Sequence, residues 1–225
     1  MQRALILSAL FGLAAVTVSA QDPVKVAPKQ CKVAFENEYV RVLRWNVGPG
    51  EKVPMHEHPA LVSVSLSGGK TSFTSPDGKT REAEVKPGQV TWSDAEKHSS
   101  QDTGGKPGEI IQVELKKKPG PAVTAITASE DAVKVDPQHY KAEFQNDRVR
   151  VLRIRYGPSE KSVMHAHPAN VAVFLNDSHG RFALPDGKTM EADFKAGQVD
   201  WGDKEKHLPE NMGSKPFELI LVELR

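Results

Sequence analysis

"GEKVPMHEHPA" (Gly50–Ala60) is matched further along the chain by "SEKSVMHAHPA" (Ser159–Ala169), and each stretch carries a His-x-His pair: His56 with His58, His165 with His167. On an extended strand, residues i and i+2 project to the same face, roughly 6.6–7 Å apart at Cα. Two imidazoles so placed can converge on one ion, whereas Glu57 and Ala166 point away. Met55 and Met164 share that opposite parity and read as packing residues rather than soft ligands.

The match extends well beyond these pairs. A slide of 109 residues aligns Pro23 to Lys116 with Ala132 to Arg225 without a gap, with about half the positions identical. "VRVLR" (Val40–Arg44, Val149–Arg153), "PDGKT" (Pro76–Thr80, Pro185–Thr189) and "EKH" (Glu96–His98, Glu205–His207) recur unchanged. The chain is therefore a tandem duplication. We expect two domains, 21–116 and 132–225, joined by an exposed linker over 117–131, "KKPGPAVTAITASED", whose Pro, Gly, Ala and Thr content suits that role.

Each copy reads as β throughout. "YVRVLRWNV", "LVSVSLS", "TSFTS", "EAEV", "QVTWS" and "EIIQVEL" are short runs rich in β-branched or aromatic residues, separated by turn chemistry such as "SPDGK" and "KPGQ". Asp77-Gly78 and Asp186-Gly187 suit tight turns, because glycine accepts positive φ. No stretch has the length and periodicity of an amphipathic helix. Many short strands in a unit of this size point to a sandwich or small barrel.

Residues 1–20 are set apart from the fold. Arg3, the apolar run "ALILSALFGLAAVTV" and the small-residue end "VSA" form an export-signal pattern, and the run falls short of the about 20 residues that span a bilayer. We expect cleavage before Gln21 and a periplasmic or extracellular location. Without Arg3 the chain carries 29 basic and 29 acidic residues, from 30 and 29 in the whole sequence. That balance argues against nucleic acid or an anionic membrane surface as partner; a small-molecule ligand is expected, and self-association is left open. The single cysteine, Cys31, cannot form an internal disulfide and has Tyr140 as its counterpart, so it reads as a packing residue.

A third histidine also recurs: His98 in "EKHSSQD" and His207 in "EKHLPEN". The other two, His139 and His179, have Gln30 and Lys70 as counterparts. His56, His58 and His98, and then His165, His167 and His207, are thus the candidate metal ligands. Glu96 and Glu205, two residues before the third histidine, are placed to orient it or to act as a general base. No phosphate-binding loop, nucleophile elbow or acid pair is present, and no catalytic residue is assigned.

"GEKVPMHEH", a glycine followed after five residues by His-x-His, resembles the first cupin motif, and Ser159 replaces that glycine in the second copy. "KPGQVTWSDAEKH" resembles the second motif, and "HLPEN" matches its His-x-x-x-Asn ending, where the first copy has Asp102. The resemblance covers both repeats and implies a bicupin, an all-β protein of two tandem antiparallel jelly-roll barrels. Metal-binding cupins usually add a glutamate four or five residues after the second histidine. Here those positions are Val62 and Ser63, then Val171 and Ala172. The resemblance then implies a three-histidine site of the thiol dioxygenase kind, holding Fe, Cu, Ni or Zn with at most one ion per domain; manganese prefers more oxygen ligands. Oxygen-dependent oxidation of a small molecule is the enzymatic expectation. A non-catalytic binding or storage-like bicupin with a decayed metal site is the rival.

Two expectations concern the surroundings. If strand parity runs unbroken past His58, then Val62, Val64 and Leu66 face the ligands' interior, as do Val171, Val173 and Leu175. Ser65 and Phe174 then lie on the opposite face, and the pocket is apolar. Arg41, Arg44, Arg150 and Arg153 read as solvated strand faces, and Trp92 and Trp201 as core residues.

Overall fold

The computed structural model describes residues 22–225; the export-signal reading and its cleavage site lie outside the described residues. A short turn of helix, α1 (Pro23–Val26), leads into nine strands: β1 (Cys31–Glu36), β2 (Val40–Val47), β3 (Lys52–His58), β4 (Leu61–Ser65), β5 (Gly69–Thr74), β6 (Thr80–Val85), β7 (Val90–Ser93), β8 (Glu96–Asp102) and β9 (Gly108–Leu115). After α2 (Pro121–Thr124) and α3 (Ala132–Val135) the series repeats as β10 (Tyr140–Gln145), β11 (Val149–Tyr156), β12 (His165–His167), β13 (Asn170–Phe174), β14 (Ser178–Ala183), β15 (Thr189–Phe194), β16 (Val199–Gly202), β17 (Glu205–Asn211) and β18 (Phe217–Leu224).

Each half is a jelly roll of two antiparallel sheets. The first pairs a five-stranded sheet, β1-β2-β9-β4-β7, with a four-stranded one, β3-β8-β5-β6; the second has β10-β11-β18-β13-β16 and β12-β17-β14-β15. The Asp-Gly turns form as expected, with Gly78 at φ 81° and Gly187 at φ 84°. Gly50, the motif glycine, also needs the left-handed region at φ 73°, and Ser159 occupies the same conformation at φ 59°. A β-carbon there costs about 1–2 kcal/mol.

The central strands of the five-stranded sheets are buried on both faces. In β2, Val40 and Val42 turn outward, while Leu43 and Trp45 turn toward their own barrel. The outward residues of both halves merge into one core, where Val62, Val64 and Val113 meet Val171, Val173 and Val222 at zero exposure. The two halves are thus packed sheet on sheet. Trp201 stacks on Phe35 and Tyr39 across this contact, with ring centroids 5.8 and 6.2 Å apart. Arg153 donates from Nη1 to Glu218 and from Nη2 to the Gly88 carbonyl of the other half, each at 2.8 and 2.7 Å respectively, and Arg44 donates reciprocally to the Gly197 carbonyl.

This packing corrects the parity expectation. Val62, Val64, Val171 and Val173 lie in the core between the halves, with Leu66 and Leu175 packed against it, and not over the histidines. The strand ends at His58, and Pro59–Ala60 carries the chain from the four-stranded to the five-stranded sheet, so alternation restarts. Ser63 and Ser65, and Ala172 and Phe174, take the inward face instead. The linker also differs from a free connector. Its side chains are mostly exposed, but Ala166 N–H donates to the Glu130 carbonyl (2.8 Å) and Ala169 N–H to that of Val123 (2.8 Å), docking it on the second half.

Candidate metal centre

Strand geometry assembles each histidine set. His56 and His58 share a face of β3, and β8 pairs with it so that His98 lies directly across from His56. In the second half His207 on β17 lies across from His165 on β12. Same-face i, i+2 spacing and a cross-strand neighbour bring three rings together. One ligand atom from each of His56, His58 and His98 lies within 4.8 Å of the others, and the same holds for His165, His167 and His207. All six sequence-assigned ligands are therefore brought together, while Glu57 is exposed on the other face. His139 and His179, the non-recurring histidines, stand apart from both sets.

Burial sets the protonation of the first histidine in each set. Desolvation holds the His56 imidazole down to about 4 and that of His165 down to about 3, so both are neutral at pH 7 with a lone pair to offer. The Nδ1 atoms are committed outward. His56 Nδ1–H donates to the Pro54 carbonyl (2.7 Å) and His165 Nδ1–H to that of Val163 (2.8 Å). Nε2 is left facing the centre: His58 Nε2 is buried without a hydrogen-bond partner among the described residues, and Nε2 of His165 and His167 approach to 3.1 Å. Ligand atoms at right angles around an ion about 2.1 Å away are separated by about 3.0 Å. The donor set fits a divalent transition metal.

The residues that sequence reasoning missed are Glu114 and Glu223. Each is 1% exposed, and each accepts from Nδ1–H of the second histidine, His58 (2.6 Å) and His167 (2.7 Å). Arg41 and Arg150 sit across the ladder from these glutamates and donate from Nε at 2.5 Å. Asp22 and Asp131 then hold the far side of each guanidinium while also capping α1 and α3. Two relays result, Asp22–Arg41–Glu114–His58 and Asp131–Arg150–Glu223–His167. Arg41 and Arg150 are thus half-buried parts of the site, and Arg44 and Arg153 are clamps between the halves, which corrects their reading as solvated faces. A signal was available: a glutamate inside the apolar runs "IIQVEL" and "LILVEL" recurs at the repeat spacing.

Glu96 and Glu205 stand 3.4 Å and 3.2 Å from Nδ1 of the third histidine. The His98 contact is at ion-pair range without hydrogen-bond alignment. His98 and Arg81 hold the Glu96 carboxyl down to about 2, and His207 lowers that of Glu205 against the opposing effect of burial. Burial and the nearby Glu114 push the Cys31 thiol up to about 12, so it is no nucleophile at neutral pH.

Fold and site together define a bicupin architecture with a three-histidine cluster in each barrel. No protein-family model matches the chain, and no curated protein does. Solved structures place its fold: AerE from Microcystis aeruginosa is similar at TM-score 0.61 and 14% identity, over 87% of this chain and 97% of AerE. Oxalate decarboxylase of Bacillus subtilis, described with Mn(II) centres, is similar at 0.56 and 12% over 83% and 69%, and a cupin 2 conserved barrel domain protein from Leptotrichia buccalis at 0.54 and 11% over 87% and 88%.

Proposed function

We propose that this chain is an exported bicupin that binds a divalent transition metal through each three-histidine set and acts on a small molecule as a dioxygenase-type oxidoreductase. The observation that carries metal binding is the buried, partnerless Nε2 of His58, aimed at two further imidazoles while Glu114 fixes its Nδ1. A metal at such a site supplies Lewis acidity and open coordination positions for oxygen or substrate. The protein's own groups do the rest: Glu114 and Glu223 orient His58 and His167, and burial keeps His56 and His165 neutral. The absent family glutamate favours a non-catalytic reading less once these carboxylates are seen, since each barrel retains an anion tied to its ligand set.

Metal analysis of protein purified without a histidine tag, with His98→Ala and His207→Ala beside it, tests the proposal. We expect one equivalent per intact set and loss of one equivalent in each variant. Metal below about one-tenth of an equivalent, with no uptake on titration, would overturn it. Oxygen consumption by the metal-loaded protein with phenols or thiols tests catalysis; rates no higher than those of His98→Ala/His207→Ala would leave a binding protein. Export is tested by finding Gln21 as the first residue of secreted material. Among the described residues, no helix is long and apolar enough to cross a membrane.

A further inference from the structure

The two barrels share their histidines but not their chambers. The cavity beside His56, His58 and His98 measures about 80 Å³, and that beside His167 and His207 about 330 Å³. An apolar cavity of about 150 Å³ suffices for benzene. The first chamber is therefore too small for an organic ring, and the second holds one or two.

Particular replacements produce the difference. In the first barrel Trp45 lies over His56 and His58, with ring centroids 5.4 and 6.2 Å apart, and its indole N–H donates to Gln112 (2.7 Å). The second barrel has Ile154 and Leu221 at those repeat positions. In the first barrel Arg81 sits 4.2 Å above the ring of Phe73, which lines the cavity, and reaches across to Glu96 at 3.0 Å, joining β6 to β8. Its counterpart Met190 makes no such bridge to Glu205 and is 58% exposed at the rim of the larger chamber.

The walls of that chamber are aromatic. Phe174, Phe194 and Phe217 replace Ser65, Val85 and Gly108, and Tyr140 and Tyr156 replace Cys31 and Val47. Phe174 and Phe194 stack at 4.1 Å in that wall, and Phe182 lies 5.6 Å from the His207 ring. Among the described residues, no lysine or arginine lines the chamber, and its charged groups are the carboxylates of Asp200 and Glu205. Such walls suit the face or edge of a flat ring and disfavour an anion.

We infer that the second barrel alone is the ligand chamber, and that it takes an uncharged aromatic molecule of one or two rings. This rests on the proposed small-molecule function but not on the ion. The test is titration of the full chain, stripped of metal by chelation, with 4-methylphenol and with benzoate, followed by calorimetry and ligand-observed NMR. One equivalent of 4-methylphenol is expected to bind, with benzoate at least tenfold weaker. Met190→Arg, at an exposed position, introduces the arginine that the first barrel carries as Arg81 and should weaken 4-methylphenol at least tenfold, with circular dichroism confirming the fold. Arg81→Met should leave its affinity unchanged. Absence of 4-methylphenol binding, benzoate binding as tightly, or an unaffected Met190→Arg variant would overturn the inference. Metal content is measured on the same preparations after reloading. A chain that binds the ring but never takes up metal would sink the proposed metal function and leave this inference standing, and normal loading without ring binding would do the reverse.

Discussion

Replacing Glu114 by glutamine tests how the buried relay works. Glu114 Oε1 accepts from His58 Nδ1–H at 2.6 Å and Oε2 from Arg41 Nε–H at 2.5 Å, so both oxygens face donors. Glutamine keeps the shape but has one oxygen and one NH₂. The guanidinium charge will claim the oxygen, leaving the amide donor against His58 Nδ1. His58 then either loses its bond or moves its proton to Nε2, which removes the lone pair a metal needs. A hydrogen bond to a charged group contributes about 1.5–3 kcal/mol, and losing an outer partner of a ligating histidine typically weakens metal binding 10- to 100-fold, about 1.4–2.7 kcal/mol. The measurement is zinc affinity by competition with a chromophoric chelator, in a His165→Ala background that disables the second set. Circular dichroism and the melting temperature confirm that the variant is folded. A folded Glu114→Gln protein whose affinity stays within about twofold of its background would refute the orienting role of Glu114.

Three further outcomes are expected. In metal-free protein, stability should be full above about pH 6.5 and fall toward pH 4, because the unfolded chain protonates His56 at its ordinary value while the folded chain resists to about 4; the loss for this residue is about 3 kcal/mol. Urea midpoints at pH 7.5, 5.5 and 4.5 read it, and a flat profile would count against the buried neutral imidazoles. Ile220→Ala, at zero exposure in the core between the halves, should cost about 2–5 kcal/mol in chemical denaturation; a change under about 0.5 kcal/mol would show that this core does not support the fold. Ser159→Gly should raise stability by about 1 kcal/mol by relieving the left-handed backbone at φ 59°, and a loss on thermal unfolding would show that the serine side chain compensates its strain.

The residues that chemistry requires were legible because they recur. His56, His58 and His98 stand at fixed offsets from their second-copy partners, and strand periodicity alone puts each pair on one face. The turns were legible too, since Asp-Gly has few alternatives at positive φ. Two readings failed for one shared reason. Parity past His58 assumed one continuous strand, and the arginines were judged by local alternation, yet both depend on which sheet a segment joins and what lies behind it. Pro59–Ala60 moves the chain between sheets, and the second half covers the outward face of the first.

The sequence by itself determined the duplication, the all-β class and the six recurring histidines, because those follow from local period, turn chemistry and spacing, while the jelly-roll barrels were implied only by the resemblance to the cupin motifs. Only the tertiary structure decided that Glu114 and Glu223 tie those histidines to Arg41 and Arg150, that the valines after each His-x-His hold the two halves together, and that the two chambers differ in size. Those facts arise from pairing between strands more than fifty residues apart, such as β2 with β9 and β11 with β18, and from packing of one sheet on another. Neither leaves a periodic trace along the chain.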